Sequence, residues 1–334
     1  MLFRSRRLYD VKVVTIGGGT GSSTLLRGLK LFTEYITAVV TVADDGGSSG
    51  MLREELGMLP PGDARNCLFA LANAEPAFAQ VFDYRFKEGS LKGQSLGNLF
   101  VAALNDIYGG FDLGLKEAGN ILAITGQVLP MTLEDVKLCA RLKNGDIIKG
   151  ESVLPKEVLR IGSPIETLFL EPEFSHSIPE TLQAIEEADL ILLGPGSLYT
   201  SLIPNLLVED LAGAIRKSKA EKFYIVNLMT QPGETDGFSV RDHYRVLERY
   251  LGEGVVSRIF VNEETADVDM LRHYKEHGAQ QPVKMTEEDE VYFAEKKIAV
   301  TCGEFMQVDL KYIRHDAKAL CQAIFDHYTQ IYRG

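Results

Sequence analysis

Short apolar runs of strand length alternate along the chain with segments whose apolar residues recur at helical spacing. The first run covers residues 12–16 and is followed by glycines and by a segment, residues 22–32, with leucines on one helical face. The next run, residues 36–42, is rich in β-branched residues and apolar on both faces, which is typical of a buried parallel strand. This alternation predicts βα units around a largely parallel sheet.

The same rhythm continues to the end of the chain. Further strands are predicted at residues 190–193, 223–227 and 257–261, and helices at residues 63–73, 96–108, 112–122, 179–188, 206–217, 241–251 and 317–332. Between residues 136 and 153 the pattern differs, because Asn144-Gly145 separates two alternating runs, as in a β-hairpin. We therefore predict an α/β fold: a single Rossmann-like domain over residues 1–334 with a doubly wound, mostly parallel sheet. It carries a small β/helical insertion, in which residues 124–170 form antiparallel β structure.

The composition excludes several classes of protein but does not indicate a particular reaction or ligand. The 334 residues carry 47 acidic and 35 basic side chains, a net charge of −12, which argues against a broad basic face for nucleic acid. No apolar run approaches the length of about 18 residues that a membrane span requires, and the apolar run after the N-terminal arginines is too short for an export signal. Four scattered cysteines without a Cys-x-x-Cys pair fit free thiols better than structural zinc. We expect a cytoplasmic protein.

A glycine-rich loop lies between the first predicted strand and the first predicted helix. Its residues are Gly17, Gly18, Gly19, Thr20, Gly21 and Ser22. Backbone amides at such a loop, together with the helix N-terminus, are suited to a phosphate. The Rossmann fingerprint needs a glycine where Ser22 stands, and a Walker A loop needs a lysine, whereas the first lysine here is Lys30. The loop is a phosphate loop of neither standard type, or a glycine turn required only by the strand-to-helix geometry.

The second loop follows the second predicted strand and joins two carboxylates to flexible backbone. Its candidate ligand-binding residues are Asp44, Asp45, Gly46, Gly47 and Ser48. They can hold a ribose, a Mg²⁺ ion or a sugar hydroxyl. The alternative is a solvated Asp-Gly turn.

The third loop precedes the predicted helix at residues 63–73. Asp63 is placed as the N-cap of that helix, a structural role that competes with a ligand role. Arg65 and Asn66 lie in the first turn, where they can reach a phosphate or a base edge, or can be solvated surface side chains.

A fourth and a fifth loop follow later strands and bring polar groups to the same edge of the sheet. The fourth supplies Gly194, Gly196, Ser197 and Thr200, and the fifth supplies Asn227. Because an open α/β sheet binds its ligand at the carboxyl ends of its strands, we expect these loops to border one crevice.

Catalytic side chains are not evident in the sequence. No Gly-x-Ser-x-Gly motif occurs, no cysteine has a neighbouring base, and the one histidine pair at metal spacing, His273 and His277, lies on a charged predicted helix. We therefore assign no catalytic residue and leave any metal ligand open.

The loops taken together resemble the gluconeogenesis factor family. The order GGGTG, ADDGGSSG, PPGDARN, GPGSLYTS and a final IRHD carries this resemblance, which runs from Val11 to His327. The family is related to 2-phospho-L-lactate transferase. Within the pattern, Ser22 stands where an apolar residue is expected. The resemblance implies a Rossmann-type fold that binds UDP-sugars, a role in cell shape during growth on gluconeogenic carbon sources, and no established reaction.

The resemblance also implies places for the ligand. A nucleotide diphosphate would lie on the first and fourth loops, with Asp44 and Asp45 near the ribose or a Mg²⁺ ion. Arg314 would complete the pocket by clamping the diphosphate or stacking on uracil, unless it pairs with a surface carboxylate. Tyr274 is a weaker candidate for stacking.

Two hypotheses follow. In the first, the chain is a regulator that binds a UDP-sugar and reports precursor supply to a partner in cell-wall (peptidoglycan) synthesis. In the second, it is a Mg²⁺-dependent transferase that moves a nucleoside-diphosphate-activated phosphoryl group to an acceptor alcohol. The absence of tryptophan and of an aromatic cluster beside the loops favours the first, because a deazaflavin acceptor needs an apolar, aromatic slot. We also expect a homo-oligomer.

Overall fold

Seven parallel strands form the centre of the fold. The structure, a computed structural model, describes residues 10–73, 80–267, 270–272, 281–309 and 312–333. Its strands in chain order are β1 (Val13–Gly17), β2 (Ile36–Val40), β3 (Gln127–Pro130), β4 (Lys137–Leu142), β5 (Ile147–Lys149), β6 (Ile165–Glu171), β7 (Leu190–Leu193), β8 (Glu221–Ile225), β9 (Arg258–Asn262), β10 (Ala299–Gly303), β11 (Met306–Asp309) and β12 (Tyr312–His315).

The main sheet has the order β10-β9-β8-β7-β1-β2-β3, and every neighbouring pair in it is parallel. β1 lies between β2 and β7, with Val13 paired to Ile36 on one side and to Leu190 on the other. The strand order reverses at β1, so the crevice of an open α/β sheet is expected between the carboxyl ends of β1 and β7. The mostly parallel α/β fold that the sequence predicts is confirmed.

Helices connect the strands and pack on the sheet. They are α1 (Gly19–Leu29), α2 (Gly47–Leu56), α3 (Gly62–Leu71), α4 (Leu96–Tyr108), α5 (Phe111–Ile121), α6 (Leu154–Ile161), α7 (Pro179–Glu187), α8 (Ile203–Leu206), α9 (Glu209–Lys217), α10 (Val240–Leu251), α11 (Glu287–Lys296) and α12 (Ala317–Arg333). A π-helical turn, Leu198–Leu202, precedes α8. Among the described helices, none has the length and apolar character needed to cross a bilayer.

One helix stands where the sequence predicts a loop. α2 begins at Gly47, inside the second glycine-rich loop, and contains Ser48, Ser49 and Gly50 in its first turn. Glycine and serine are poor helix formers, so the local pattern hides this helix. Its N-terminus is thereby placed at the carboxyl end of β2.

The antiparallel strands form a separate three-stranded sheet in the order β5-β4-β6. The hairpin predicted at Asn144-Gly145 joins β4 to β5, and Gly145 has a φ of 93°. The bounds differ from the predicted 124–170, because β3 pairs in parallel with β2 and belongs to the main sheet. β3 is an edge strand that alternates exposed and buried residues, which resembles an antiparallel strand in the sequence. The description of residues 1–334 as one domain stays a prediction.

Candidate functional site

The first and fourth glycine-rich loops lie against each other where the strand order reverses. A Cβ atom at Gly21 would lie 2.6 Å from the carbonyl oxygen of Pro195, so only glycine allows this approach. Ser22 Oγ donates a hydrogen bond to the same oxygen at 3.4 Å, and Asn205 Nδ2 donates one to the carbonyl oxygen of Gly17 at 3.3 Å. The buried Ser22 therefore fixes the two loops together, which explains a polar residue at this helix position.

The N-terminus of α1 faces a carboxylate from another helix. Gly18, the residue before α1, has no side chain to cap it, and the Gly19 N–H donates to the carboxylate of Asp63. A Cβ atom at Gly18 would overlap Asp63 Oδ2. The predicted role of Asp63 as the N-cap of its own helix is wrong, because Pro61 is the residue before α3 and Asp63 lies in the first turn. Asp63 instead caps α1.

Four carboxylates influence one another beside these loops. Burial and the neighbouring Asp44 raise the pKa of Asp63 to about 7. Burial, together with Asp44, Asp63 and Glu234, raises the pKa of Glu151 to about 8. Burial also raises the pKa of Glu234 to about 7, against the hydrogen bond that Ser197 Oγ donates to it. The site therefore carries protons at neutral pH that ordinary carboxylates have lost.

The segment that holds Glu151 joins the antiparallel sheet to α6 and reaches two of the loops. The Ser152 N–H donates to Asp45 Oδ1 at 2.8 Å, and the backbone of Pro155 lies directly against Gly233. We call residues 150–155 the bridging segment. Asp45 is thus engaged by backbone, and its carboxylate positions Glu151 within the site.

A polar cavity of about 250 Å³ lies on the other side of Asp44 and Asp63. Its lining is made of glycine backbone, carboxylates, hydroxyls, carboxamides and two guanidinium groups: Asp44, Gly46, Gly47, Ser48, Ser49, Gly62, Asp63, Arg65, Asn66, Arg85 and Asn98. We call it the arginine pocket. Of the predicted site residues, it brings together Asp44, Gly46, Gly47, Ser48, Asp63, Arg65 and Asn66.

Within the arginine pocket, Ser48 has a structural task. Its hydroxyl donates to Gln94 Oε1 at 2.7 Å and accepts from Asn98 Nδ2 at 3.0 Å and from the Ser95 N–H at 3.1 Å. One donor and two acceptors are all that a hydroxyl offers. Ser48 therefore ties the start of α2 to the start of α4.

The polar groups of the fourth loop bond to one another and to the segment after β8. Ser197 Oγ accepts from Thr200 Oγ1 at 2.6 Å, and the Gly196 N–H donates to Asn227 Oδ1 at 3.3 Å. With the bond from Ser197 to Glu234, these contacts fix the loop around Gly194 in shape. These contacts engage the side chains of Ser197 and Thr200 and the backbone N–H of Gly196.

Two of the predicted ligand-binding residues, Tyr274 and Arg314, come late in the sequence. Arg314 lies on β12, with its guanidinium carbon 5.7 Å from the centre of the Tyr312 ring, and it is not part of the arginine pocket. Tyr274 lies outside the described residues, as do His273 and His277. Shortly after Arg314 in sequence, Asp316 caps α12, because its Oδ1 accepts from the backbone N–H groups of residues 318 and 319 at 3.0 and 2.9 Å.

Several residues of the site escape sequence reasoning. Glu151, Glu234 and Arg85 lie far from the glycine loops along the chain and carry no local signal. Asn98 does carry one, since it is a polar residue in the first turn of a mostly apolar predicted helix.

The described part of the chain contains no group of three or more His, Cys, Asp or Glu side chains placed to hold a metal ion. Asp44 and Asp63 form a pair, and Mg²⁺ is commonly bound by one or two carboxylates together with substrate phosphates. The two side chains fit a Mg²⁺ ion whose remaining ligands come from a bound phosphate and water.

Comparison with known proteins places the chain in a family. The family model described as 2-phospho-L-lactate transferase CofD matches residues 13–306. The chain belongs to the CofD family. Within this family, a protein of Thermoanaerobacterium thermosulfurigenes, provisionally named a gluconeogenesis factor, is 51% identical over 313 residues, covering 94% of this chain and 95% of that protein. The gluconeogenesis factor of Bacillus subtilis is 42% identical over 316 residues, covering 94% of this chain and 97% of the relative.

A crystal structure of a UPF0052 family member from Bacillus halodurans has the same fold as this CofD family chain. The TM-score is 0.89 at 42% sequence identity, over 94% of this chain and 99% of the other. The resemblance to gluconeogenesis factors that the loops indicate is confirmed.

Proposed function

We propose that this chain binds a nucleoside-diphosphate sugar, a UDP-sugar in the first instance, and acts as a regulator rather than an enzyme. The observation that carries the proposal is the contact between the first and fourth glycine loops at the reversal of strand order, with the N-terminus of α1 beside them. Helix N-termini and close glycine backbone bind diphosphates in folds of this type. The relatives named as gluconeogenesis factors support a role in gluconeogenesis, and the proposal extends that role to a cytoplasmic regulator that links precursor supply to cell-wall synthesis and cell shape.

The carboxylate of Asp63 sets a condition on this binding. A diphosphate at the start of α1 would meet the oxygen atoms that now accept the Gly19 N–H. An ionised Asp63 and a diphosphate in contact would repel each other. Binding therefore requires either a proton on Asp63 or a divalent cation between the two groups. A Mg²⁺ ion held by Asp44 and Asp63 would supply that positive charge.

The experiment is a calorimetric titration of the purified protein with UDP-N-acetylglucosamine, UDP-glucose, GDP and NAD, each with and without Mg²⁺. We expect one class of site that takes the UDP-sugars, with higher affinity when Mg²⁺ is present. Absence of heat with all four nucleotides, in protein shown to be folded by its melting curve, would contradict the proposal.

A second function, phosphoryl transfer, is favoured by the position of Asp63. This residue lies between the α1 N-terminus and the arginine pocket, and its pKa of about 7 suits a general base. In this case an acceptor hydroxyl would give its proton to Asp63. Phosphorus NMR of the protein with UDP-sugar, Mg²⁺ and candidate acceptor alcohols separates the two functions, since only a transferase releases UMP.

A further inference from the structure

Three helices begin next to the arginine pocket. α2, α3 and α4 each begin with a residue at or beside its lining, namely Gly47, Gly62 and Leu96. The residue before α2, Gly46, offers no side chain to cap the helix. Each N-terminus carries a partial positive charge, and all three charges attract an anion. The backbone around the pocket therefore favours an anion on this side.

Arg65 adds a full charge and an unused donor. Its guanidinium is buried, with Nη1 donating to Ser95 Oγ at 3.0 Å and Nη2 donating to Asn66 Oδ1 at 2.6 Å. Its Nε has no hydrogen-bond partner among the residues that the structure describes. Gly97 makes room for this side chain, because a Cβ atom there would lie 2.6 Å from Arg65 Cδ. A buried donor without an acceptor is costly unless a ligand supplies one.

Asn98 contributes an unused acceptor at the same place. The side chain is 2% exposed, and its Oδ1 lacks a partner within the described chain, while its Nδ2 donates to Ser48 Oγ. In this arrangement the Ser48 hydroxyl donates its proton to Gln94, which leaves Asn98 Oδ1 without a donor. The pocket thus offers donors from Arg65 and backbone and a buried acceptor from Asn98, beside the carboxylates of Asp44 and Asp63 that also line it.

The volume decides how much of a ligand can enter. Pockets for drug-sized ligands have about 300–1,000 Å³ and are mostly apolar. The arginine pocket has about 250 Å³ and a wholly polar or glycine lining, so a nucleotide sugar does not fit inside it. A single compact anionic group does.

We propose that the arginine pocket binds inorganic phosphate as a second ligand, separate from the diphosphate of the nucleotide. Inorganic phosphate suits both unused atoms, because its oxygens can accept from Arg65 and the hydroxyl that HPO₄²⁻ keeps at neutral pH can donate to Asn98 Oδ1. Carboxylate and sulfate have no hydroxyl to donate at neutral pH. This proposal rests on the proposed function only in one respect: the nucleotide is taken to bind at the glycine loops, across Asp44 and Asp63 from the pocket.

Substitution of Arg85 tests the pocket most directly. It lines the pocket but is exposed, with its Nη1 donating to the carbonyl oxygen of Gly93 at 3.1 Å, so its removal leaves the core intact. Arg141 on β4 is also exposed and distant from the site, and Arg141→Gln makes the same change in net charge. Arg65→Lys is a second variant, which keeps the charge but removes the planar set of donors.

The test is calorimetric titration of the full chain with inorganic phosphate and with sulfate at neutral pH, first alone and then with saturating UDP-N-acetylglucosamine. We expect phosphate to bind in both cases and sulfate to bind at least tenfold more weakly. Arg85→Gln and Arg65→Lys should each weaken phosphate binding roughly tenfold, as expected for a charged hydrogen bond, while Arg141→Gln leaves it unchanged.

Three results would overturn the proposal: no phosphate binding by the parent protein, equal binding of phosphate and sulfate, or competition between phosphate and the nucleotide sugar. If no UDP-sugar binds, the proposed function fails. The phosphate titration of the free protein still shows whether the arginine pocket binds phosphate. Melting curves of each variant show that loss of binding is not loss of fold.

Discussion

At the scale of single residues, Asp63 has the largest consequences. The sequence offers it as the N-cap of α3 or as a ligand-binding residue. In the structure it contacts α1 instead of capping α3, because the missing side chain of Gly18 leaves space for a carboxylate there. No local pattern predicts this, since residues 18 and 63 belong to different βα units. The contact makes ligand binding at α1 sensitive to the protonation of one side chain.

The protonation of Asp63 predicts a pH-dependent affinity for nucleotide sugar in the absence of Mg²⁺. With a pKa of about 7, Asp63 is mostly protonated at pH 6 and mostly ionised at pH 8. Only the protonated form accommodates the diphosphate, so the affinity should fall about tenfold between these pH values. Asp63→Asn keeps an acceptor for the Gly19 N–H and should remove most of this change. An equal pH dependence in Asp63→Asn, measured by calorimetry, would assign the effect to another group such as Glu234.

Glu151 predicts a pH-dependent stability. Its pKa is raised from 4.5 to about 8, so between these pH values the folded protein holds a proton that the unfolded chain has lost. Stability therefore falls as the pH rises through this window. Glu151→Gln should raise the melting temperature at pH 8.5 and have a much smaller effect at pH 5.

Glu157→Gln serves as the control for this comparison. Glu157 is on α6, and the hydrogen bond from Arg160 lowers its pKa, so its removal should not raise the melting temperature at either pH. If both variants behave alike, the burial of Glu151 beside other carboxylates has no energetic effect.

At the scale of elements, the βα rhythm, the parallel strands and the hairpin at Asn144-Gly145 follow from the sequence. They do so because each rests on local periodicity or on a turn preference. α2 could not be predicted from the sequence, since its first turn consists of glycine and serine, which are poor helix formers. The bridging segment does not follow either, because the bond between Ser152 and Asp45 joins residues 107 positions apart. The loops could be predicted, but the contacts between individual residues of different loops could not.

The packing of α3 on α4 predicts the effect of a methyl group at Gly97. A Cβ atom there would lie 2.6 Å from Arg65 Cδ and 2.9 Å from the carbonyl oxygen of Phe82. Gly97→Ala should destabilise the protein by about 1–3 kcal/mol, as overpacking does. Gly213→Ala in α9, where a Cβ atom has room, should stabilise it by up to about 1 kcal/mol through helix propensity. Urea denaturation compares the two, and equal effects would mean that Arg65 moves freely.

At the scale of the whole molecule, the order of the parallel strands brings the loops to one edge of the sheet. The first and fourth loops meet because β1 and β7 are neighbours, and the second loop joins them because β2 lies on the other side of β1. The sequence predicts this shared edge from fold class alone. It does not predict which side chains point inward. The role of Arg314 in ligand binding and the homo-oligomer stay predictions.

The central claim is that a diphosphate lies at the N-terminus of α1, and Thr20 tests it most directly. Thr20 is exposed in the first turn of α1, and a negative charge there favours the helix while it repels an anion. In titrations with UDP-N-acetylglucosamine and Mg²⁺, Thr20→Glu should bind at least tenfold more weakly than the isosteric Thr20→Gln, a difference of about 1.4 kcal/mol. Both variants should melt at or above the temperature of the parent protein. Equal affinities in Thr20→Glu and Thr20→Gln would place the diphosphate elsewhere and contradict the account.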